Sequence, residues 1–489
     1  MLAGARGPFA LALLIAALTR LAFPFDGLYG QDAFAYFRFA RAIWPHLRDG
    51  APLPVLFWPR GYPAAVAMLL PVFGGAPAAG QLVNALAGAW AAAATVLLLG
   101  ELDASDAPEW GGRIVAGVCV AASGIVLRTS QVVMADGLAL ALAATALWCA
   151  ARVVRTGRAA WLVPCAVAIA WGAVTRWQIG LVALPIAVAL ASARRFPARD
   201  GRGWWLAALL AGSLVLVPQI LAARAVPGSL ATHEWLLRWN PLNAFRRDFL
   251  TSEGHARYRL PVGLFYLARL GWPDALFPTV LALAMVGAWR VVRERRAPAI
   301  ALLFGWPLVD WAFVSGIPYE NPRFIWPALP SIAALAGVGF TWLCRRLRAR
   351  ARKALAIGWA ASLALGLLFA AREHARTVAR KNADRAIVAW VDATVPPNTR
   401  VWRAGGTLMA ETYGATKLRD VYLATPDQIP DLLSRDGACA YLENRDDIEG
   451  QWAGLPPHAF FEALRRRPGL TAIASRPPFT LFRIEAAAR

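Results

Sequence analysis

The sequence predicts a mainly α-helical polytopic membrane protein, with about eleven transmembrane helices and a small C-terminal extracytoplasmic α/β domain, and three observations carry that prediction. Hydrophobic residues make up 58% of the 489-residue chain and charged residues only 17%, so most of the apolar surface needs lipid as its solvent. The arginines gather in short runs between apolar segments, as loops obeying the positive-inside rule do. From Arg372 onward the apolar stretches shorten to the lengths of strands and amphipathic helices in a soluble domain. The net charge of +21 is therefore a topological signal, and no nucleic-acid partner is expected. Cys119, Cys149 and Cys165 fall inside apolar segments, Cys344 ends one, and Cys439 stands alone in the tail, which is neither a disulfide framework nor a zinc pattern.

In chain order, Pro8 to Phe25 is apolar behind a lone Arg6. It is long enough to cross ~30 Å of hydrocarbon and lacks a small-residue cleavage site, so it reads as an uncleaved first helix with a cytoplasmic N-terminus; a cleaved signal peptide is the alternative. A large outer loop over 26–78 follows. There Asp32 opens an amphipathic segment whose Phe34, Phe37 and Ala40 are expected to face lipid while Arg38 and Arg41 face water. Trp58-Pro59-Arg60-Gly61-Tyr62-Pro63 is a proline-bracketed turn that holds a guanidinium between two aromatic rings. Tyr62 to Phe73 is too short to cross and is laid along the outer surface.

The remaining spans are expected at about 79–99, 113–129, 136–153, 160–175, 178–193, 204–223, 273–291, 298–316, 324–343 and 354–371. The 160–193 region is divided because one long helix would hold Arg176 at mid-membrane, at a cost of ~2.5–3.5 kcal/mol; an outer turn at Thr175-Arg176-Trp177-Gln178 removes it. With 62–73 not crossing, the runs Arg152 to Arg158, Arg194 to Arg202, Arg290 to Arg296 and Arg345 to Lys353 all fall on the cytoplasmic side. If 62–73 crossed, all would fall outside. The acidic loop Glu101 to Glu109 then lies inside, which the rule tolerates because acids contribute little to orientation. A second outer loop over 224–272 carries Trp235, Trp239, Arg246, Arg247 and Tyr258, and its length marks it as functional or as a folded cover. The division is thus a transmembrane domain over 1–371 and a soluble domain over 372–489, extracytoplasmic because an odd number of crossings precedes it. In that domain strands are expected at 401–402, 420–423, 439–442 and 479–482, and helices at 382–393, 427–435 and 458–467.

Threaded this way, Asp32, Arg60, Asp136, Arg176, Glu320 and Arg323 land on one outer face, with Tyr62 and Gln178 beside two of the arginines. Cytoplasmic arginines are explained by topology; these are not. Each acid also has a plainer reading: Asp32 as the cap of its amphipathic helix, Asp136 as an N-terminal acid gaining from a helix dipole, and Glu320 as one half of a local ion pair with Arg323.

Four short stretches resemble the membrane-embedded GT-C glycosyltransferases, in the branch of protein O-mannosyltransferases and lipid A aminoarabinose transferases. They are Gly30-Gln31-Asp32-Ala33-Phe34-Ala35-Tyr36, Trp58 to Pro63, the helix mouth at Asp136, and Asn321-Pro322-Arg323-Phe324-Ile325-Trp326-Pro327-Ala328-Leu329-Pro330. None is specific alone; their order and topology together carry the resemblance. It implies a GT-C type catalytic domain in the cell (inner) membrane. Such an enzyme takes a sugar from a polyprenyl-phosphate-linked donor on the extracytoplasmic side and passes it, with inversion, to a hydroxyl of a glycan, lipid or protein acceptor. Many members follow the first-loop Asp with Glu, whereas Ala33 follows Asp32 here, so neither a paired carboxylate nor a metal site is expected in this loop and no cofactor is assigned.

The roles follow from the chemistry of that reaction. A departing lipid phosphate builds up negative charge, which Arg60, Arg176 and Arg323 are suited to meet. The acceptor hydroxyl loses a proton, so a carboxylate must serve as base, and Asp32 is the choice. Tyr62, Asp136, Gln178 and Glu320 are expected to bind substrate or orient the arginines. Two rival classes stand beside this reading: a transporter or flippase of lipid-linked sugars, and a non-catalytic binding protein on the same scaffold. A transporter places its ionisable groups near the midplane on interrupted helices, and often shows internal repeats.

Overall fold

The computed structural model describes residues 2–102, 110–193, 201–226, 233–251 and 254–485. Most of the acidic loop (103–109) and the arginines Arg194, Arg195 and Arg199 lie outside the described residues. The chain packs as two units, one of Met1–Leu28, Tyr36–Arg246 and Leu260–Arg376, the other of Tyr29–Ala35, Arg247–Arg259 and Thr377–Arg489.

The first unit begins with α1 (Leu2–Ala22), α2 (Gly30–Asp49, its first residues belonging to the second unit), the short α3 (Gly61–Leu69) and α4 (Ala78–Leu102). The alanines of α4, Ala89 and Ala91 to Ala94 among them, are buried, and this thin helix packs against α1, α5 (Trp110–Ala121) and α7 (Asp136–Thr156). Between α5 and α7, α6 (Gly124–Gln131) is bent by 43° from α5. The bend has a local cause. Ser123 Oγ caps α6 by accepting from Val126 N at 3.1 Å, and a side chain at Gly124 would meet the Asp274 carbonyl at 2.1 Å, so only glycine admits that backbone. The unit continues through α8 (Leu162–Thr175), α9 (Ala183–Ala191), α10 (Arg202–Arg224), α11 (Glu234–Leu237), α12 (Val262–Leu270), α13 (Pro278–Arg293), α14 (Ala297–Ala299), α15 (Trp306–Ser315) and α16 (Leu329–Arg346). The last helix of the unit, α17 (Ala349–Thr394), runs on into the second unit and is, at 46 residues, about 70 Å long, more than twice what a bilayer core needs.

Among the described residues, seven helices are long and apolar enough to cross a membrane, or eight with α5 and α6 as one bent span. The chain has the mainly helical, polytopic architecture that its sequence predicts. The expected spans at 160–175, 178–193 and 273–291 are shorter than full crossings: Ala159–Thr175 and Trp177–Ala191 flank a break at Arg176, and α13 has 16 residues. Arg176 is fully extended (φ −147°, ψ 119°), which ends α8 where the sequence argument put the turn. The face of α2 expected to meet lipid does not: Phe34, Phe37 and Ala40 are buried within the protein, while Arg38 and Arg41 are exposed as expected. Nor does Asp32 cap α2; the helix already starts at Gly30, which puts Asp32 inside its first turn.

In the second unit, β1 (Asp248–Thr251) and β2 (Gly254–Arg257) form an antiparallel hairpin. A five-stranded sheet takes the order β4-β3-β5-β7-β6 from β3 (Arg400–Arg403), β4 (Lys417–Asp420), β5 (Cys439–Asn444), β6 (Leu470–Arg476) and β7 (Phe479–Ile484). β3 pairs in parallel with β4 and β5, and β7 antiparallel with β5 and β6. The central β5 is buried on both faces. Val401, Ala440 and Leu481 meet Ile387 and Val391 of α17 on one face, while Trp402, Tyr441 and Ile484 meet Leu433, Phe460 and Phe461 on the other, from α19 (Ile429–Asp436) and α20 (Pro456–Arg465). The strand expected at 420–423 sits earlier, because Asp420 Oδ1 accepts from Tyr422 N at 2.9 Å and Gly405 N at 3.0 Å, a turn that stops β4. β6 and α18 (Thr407–Tyr413) were not expected from the sequence; β6 is an edge strand with no fully buried residue and hence no alternating apolar face.

Candidate active site

The best-defined polar constellation of the first unit is built around the gap between α6 and α7. Residues 132–135 are not helical, and their carbonyls would be orphaned in an apolar bundle. Asn84, fully buried on α4, places its Nδ2 2.8 Å from the carbonyls of both Val132 and Met134. Gln81, one turn earlier, donates to Gln131 O at 2.8 Å and to Phe25 O at 3.0 Å. Tyr62 lies 3.2 Å from the same Asn84 nitrogen and donates its hydroxyl to Gly80 O at 3.2 Å, tying α3 to this frame. Asp136 follows as the first residue of α7 and is 4% exposed.

Asp136 holds two arginines. Arg176 Nη1 donates to Asp136 Oδ1 and, at 3.1 Å, to the carbonyl of Arg323, while Arg323 Nη1 lies 3.5 Å from Asp136 Oδ2. Asn321 orients Arg323, accepting from its backbone N at 3.1 Å and its Nε at 3.2 Å. The Arg176 guanidinium stacks over the Phe324 ring at 5.0 Å, and its Nε and Nη2 have no protein partner among the described residues. Next to it Gln178 Nε2 donates to Phe324 O at 2.6 Å and to Asp310 Oδ1 at 3.0 Å. The cluster therefore carries two guanidinium charges against Asp136, with the fully buried Asp310 behind it.

Glu320 and Arg60 stand apart from this trio. The hydroxyl of the buried Tyr266 pins the turn around Glu320, donating to Tyr319 O at 3.0 Å and accepting from Asn321 N at 3.3 Å. Glu320 Oε1 is buried without a hydrogen-bond partner, and burial pushes the carboxyl up to about 7. The local Glu320–Arg323 ion pair is not formed: Arg323 turns to Asp136 instead. Arg60 donates its backbone N–H to Gln219 Oε1 at 3.0 Å and lays its guanidinium over Phe39 at 5.2 Å, rather than between Trp58 and Tyr62. No carboxylate pairs with it among the described residues, and partial burial lowers its pKa from the ordinary arginine value. Asp32 belongs to the segment that packs with the second unit.

Two side chains of this region were not singled out in the sequence. His233 stacks on Trp58 (5.8 Å, 28°) and meets Trp235 at 4.7 Å, which stacks on Tyr319 (5.0 Å, 13°) and touches Phe324 at 5.5 Å. This aromatic ladder joins the segment before α3, the 233–245 segment and the turn bearing Arg323. Burial lowers the pKa of His233 from the ordinary histidine value. Asp310 was legible as a lone acid in an otherwise apolar span; His233 carried no such signal. No group of three His, Cys, Asp or Glu side chains placed to hold a metal ion occurs among the described residues.

No family model and no curated protein matches the chain by sequence. Solved structures match its fold over nearly its whole length. ArnT from Cupriavidus metallidurans bound to undecaprenyl phosphate superposes with a TM-score of 0.66 at 15% identity, covering 98% of this chain and 97% of that one. The apo state of the same enzyme gives 0.62. The archaeal oligosaccharyltransferase AglB from Archaeoglobus fulgidus, in complex with an inhibitory peptide and a dolichol-phosphate, gives 0.62 at 11% identity over 97% of this chain and 74% of that one. The chain has the GT-C fold of polytopic membrane proteins.

Proposed function

We propose that the protein is a membrane glycosyltransferase that moves a sugar from a polyprenyl-phosphate-linked donor to an extracytoplasmic acceptor hydroxyl, with inversion. The observation that carries this reading is the Asp136-oriented pair Arg176 and Arg323, in which Arg176 keeps Nε and Nη2 unengaged by protein. An arginine fork fixed on one side and open on the other matches a phosphate with oxygens to spare. Undecaprenyl phosphate bound to a protein of the same fold and dolichol-phosphate bound to another support the same ligand class. Arg60, partly desolvated and without a carboxylate among the described residues, is assigned to the same phosphate. The transfer breaks the bond from the anomeric carbon to the phosphate oxygen, whose electron pair leaves with the lipid phosphate, and forms a bond to the acceptor oxygen, whose proton goes to a carboxylate. Asp32 is assigned as that base on its place in the motif Gly30 to Tyr36.

A second assignment of the base is favoured by one observation: Glu320 has a partnerless buried oxygen and a carboxyl at about 7, near the value at which a general base works best. Titrating undecaprenyl phosphate into the purified protein tests the phosphate assignment. Arg176→Ala is expected to weaken binding at least tenfold, and Arg176→Lys, which keeps the charge but loses the fork, less. Unchanged binding by both Arg176→Ala and Arg60→Ala overturns it.

A further inference from the structure

The long helix α17 continues past its apolar stretch into the second unit, and one face of that continuation holds a single tyrosine in place. Lys381, Arg385, Val388 and Asp392 recur at helical spacing, so all four lie on one stripe of α17. Against that stripe lies Tyr413, the last residue of α18. Lys381 Nζ donates to the Tyr413 hydroxyl and stands 4.3 Å from the centre of its ring, while the Arg385 guanidinium lies over the same ring at 4.9 Å. The chain beyond Tyr413 is pressed onto the helix, since a side chain at Gly414 would meet Val388 Cγ1 at 2.8 Å. Asp392 then accepts from the backbone N of Ala415 and of Thr416, each at 2.9 Å.

What this fixed ring and ammonium grip is the start of α2. Tyr29–Ala35 packs with the second unit, and within it Ala33 is fully buried and Phe34 is 4% exposed. The Phe34 ring meets Tyr413 edge-on (5.7 Å, 84°), and Lys381 Nζ lies 5.0 Å from its centre. One ammonium thus faces two rings that come from opposite ends of the sequence. Lys381 is itself 2% exposed. A buried charge is costly, and an apolar side chain of similar volume generally serves stability as well or better. Stability alone therefore does not account for a lysine here, whereas a directional hold on Phe34 does. Asp32 lies in the same first turn of α2, two residues before Phe34.

We propose that Lys381 and Tyr413 are positioning residues for Asp32: through Phe34 they hold the first turn of α2 and so fix where its carboxylate stands for proton transfer. The proposal rests on the assignment of Asp32 as the base, and it gives the second unit a part in the reaction. Proton transfer is sensitive to such placement, because a shift of about 1 Å at a reacting group can cost on the order of a hundredfold in rate.

The full-length protein is reconstituted in vesicles with a labelled polyprenyl-phosphate sugar and a solubilised envelope extract as the source of acceptor, and kcat is compared with undecaprenyl phosphate binding. Lys381→Met keeps the length of the side chain and loses its charge; it is expected to lower kcat roughly tenfold or more while undecaprenyl phosphate binding stays unchanged. Lys381→Arg, which keeps a cation for both rings, is expected to restore part of the rate. Tyr413→Phe keeps both rings and the ammonium and loses only the hydroxyl, so a severalfold fall in kcat with unchanged binding is expected from it, and it decides the matter should Lys381→Met not fold. In an Asp32→Asn background the residual rate is expected to be the same with and without Lys381→Met, because the lysine acts through Asp32. Unchanged kcat in Lys381→Met and Tyr413→Phe, with Asp32→Asn inactive, overturns the positioning role and leaves the base assignment standing. A further loss in the Asp32→Asn background also overturns it, as does a fall of kcat and undecaprenyl phosphate binding together, for then Lys381 serves the fold. Near-normal turnover by Asp32→Asn removes the base assignment and the proposal with it.

Discussion

Glu320 separates the two assignments of the base, because its buried oxygen has no hydrogen-bond partner and its surroundings alter its ionisation. Burial raises its carboxyl to about 7, well above the ordinary value of a glutamate. The folded protein therefore binds more protons than the unfolded chain between those two values, and stability must fall as the pH rises through that window and level off above about 7. Thermal midpoints measured from pH 5 to pH 8 are expected to drop in the wild type relative to Glu320→Gln, which cannot ionise; parallel curves would show that the carboxyl is not raised. If Glu320 is also the base, transfer rises as the pH passes about 7 and is lost in Glu320→Gln; if Asp32 is, that variant keeps its turnover and Asp32→Asn loses it. The candidate acids and arginines could be read from the sequence as charges that topology leaves unexplained, but their pairing could not. Asp136 meets Arg176 across 40 residues and Arg323 from still farther away, and no local spacing encodes that. For the same reason the local Glu320–Arg323 pair, natural on spacing alone, gives way to a buried acid that two arginines must share.

At the scale of elements, the site depends on carboxamides that touch no proposed ligand. Asn84 and Gln81 on α4 satisfy the carbonyls of the α6–α7 gap, so they set where α7 begins and where Asp136 points. Asn84→Leu takes this donor from the part-buried Val132 carbonyl and the buried Met134 carbonyl, at up to about 1–3 kcal/mol each. It is expected to lower the thermal midpoint and weaken undecaprenyl phosphate binding together, although Asp136, Arg176 and Arg323 are all present; a variant with lower stability but unchanged binding would show that the gap does not position Asp136. The helices were legible where apolar length decides them, as in α4, α7 and α16, and the break at Arg176 followed from the cost of a charge at mid-membrane. What escaped was decided by tertiary partners. α2 buries Phe34, Phe37 and Ala40 against protein because its amphipathic pattern suits a protein groove as well as lipid. The α5–α6 bend depends on a backbone from the 272–277 loop lying against Gly124, and β6 shows no period because both its faces are partly open.

At the scale of the whole molecule, the arginine runs carry an orientation that any reading of the site must respect. If those runs mark the cytoplasmic side, as the positive-inside rule expects, 372–489 is extracytoplasmic, and a reporter enzyme that matures only outside the cytoplasm is expected to be active when fused after Arg489. Activity confined to a cytoplasm-dependent reporter would reverse the orientation and move the Asp136 cluster to the inner face. The GT-C architecture was legible from the order of four weak motifs along a chain of the right topology, each of which would be unremarkable elsewhere. The chain matches the fold of structures at only 11–15% identity over nearly its whole length, so the fold is kept with little shared sequence. The central claim, that the protein transfers the sugar of a lipid-phosphate donor, is tested most directly by reconstituting it in vesicles with labelled polyprenyl-phosphate sugars and following both the label and the lipid. Label passed to an acceptor hydroxyl with stoichiometric release of polyprenyl phosphate, abolished by Arg176→Ala, is the predicted result; movement of the intact labelled lipid between leaflets without any transfer would contradict it and make the protein a transporter.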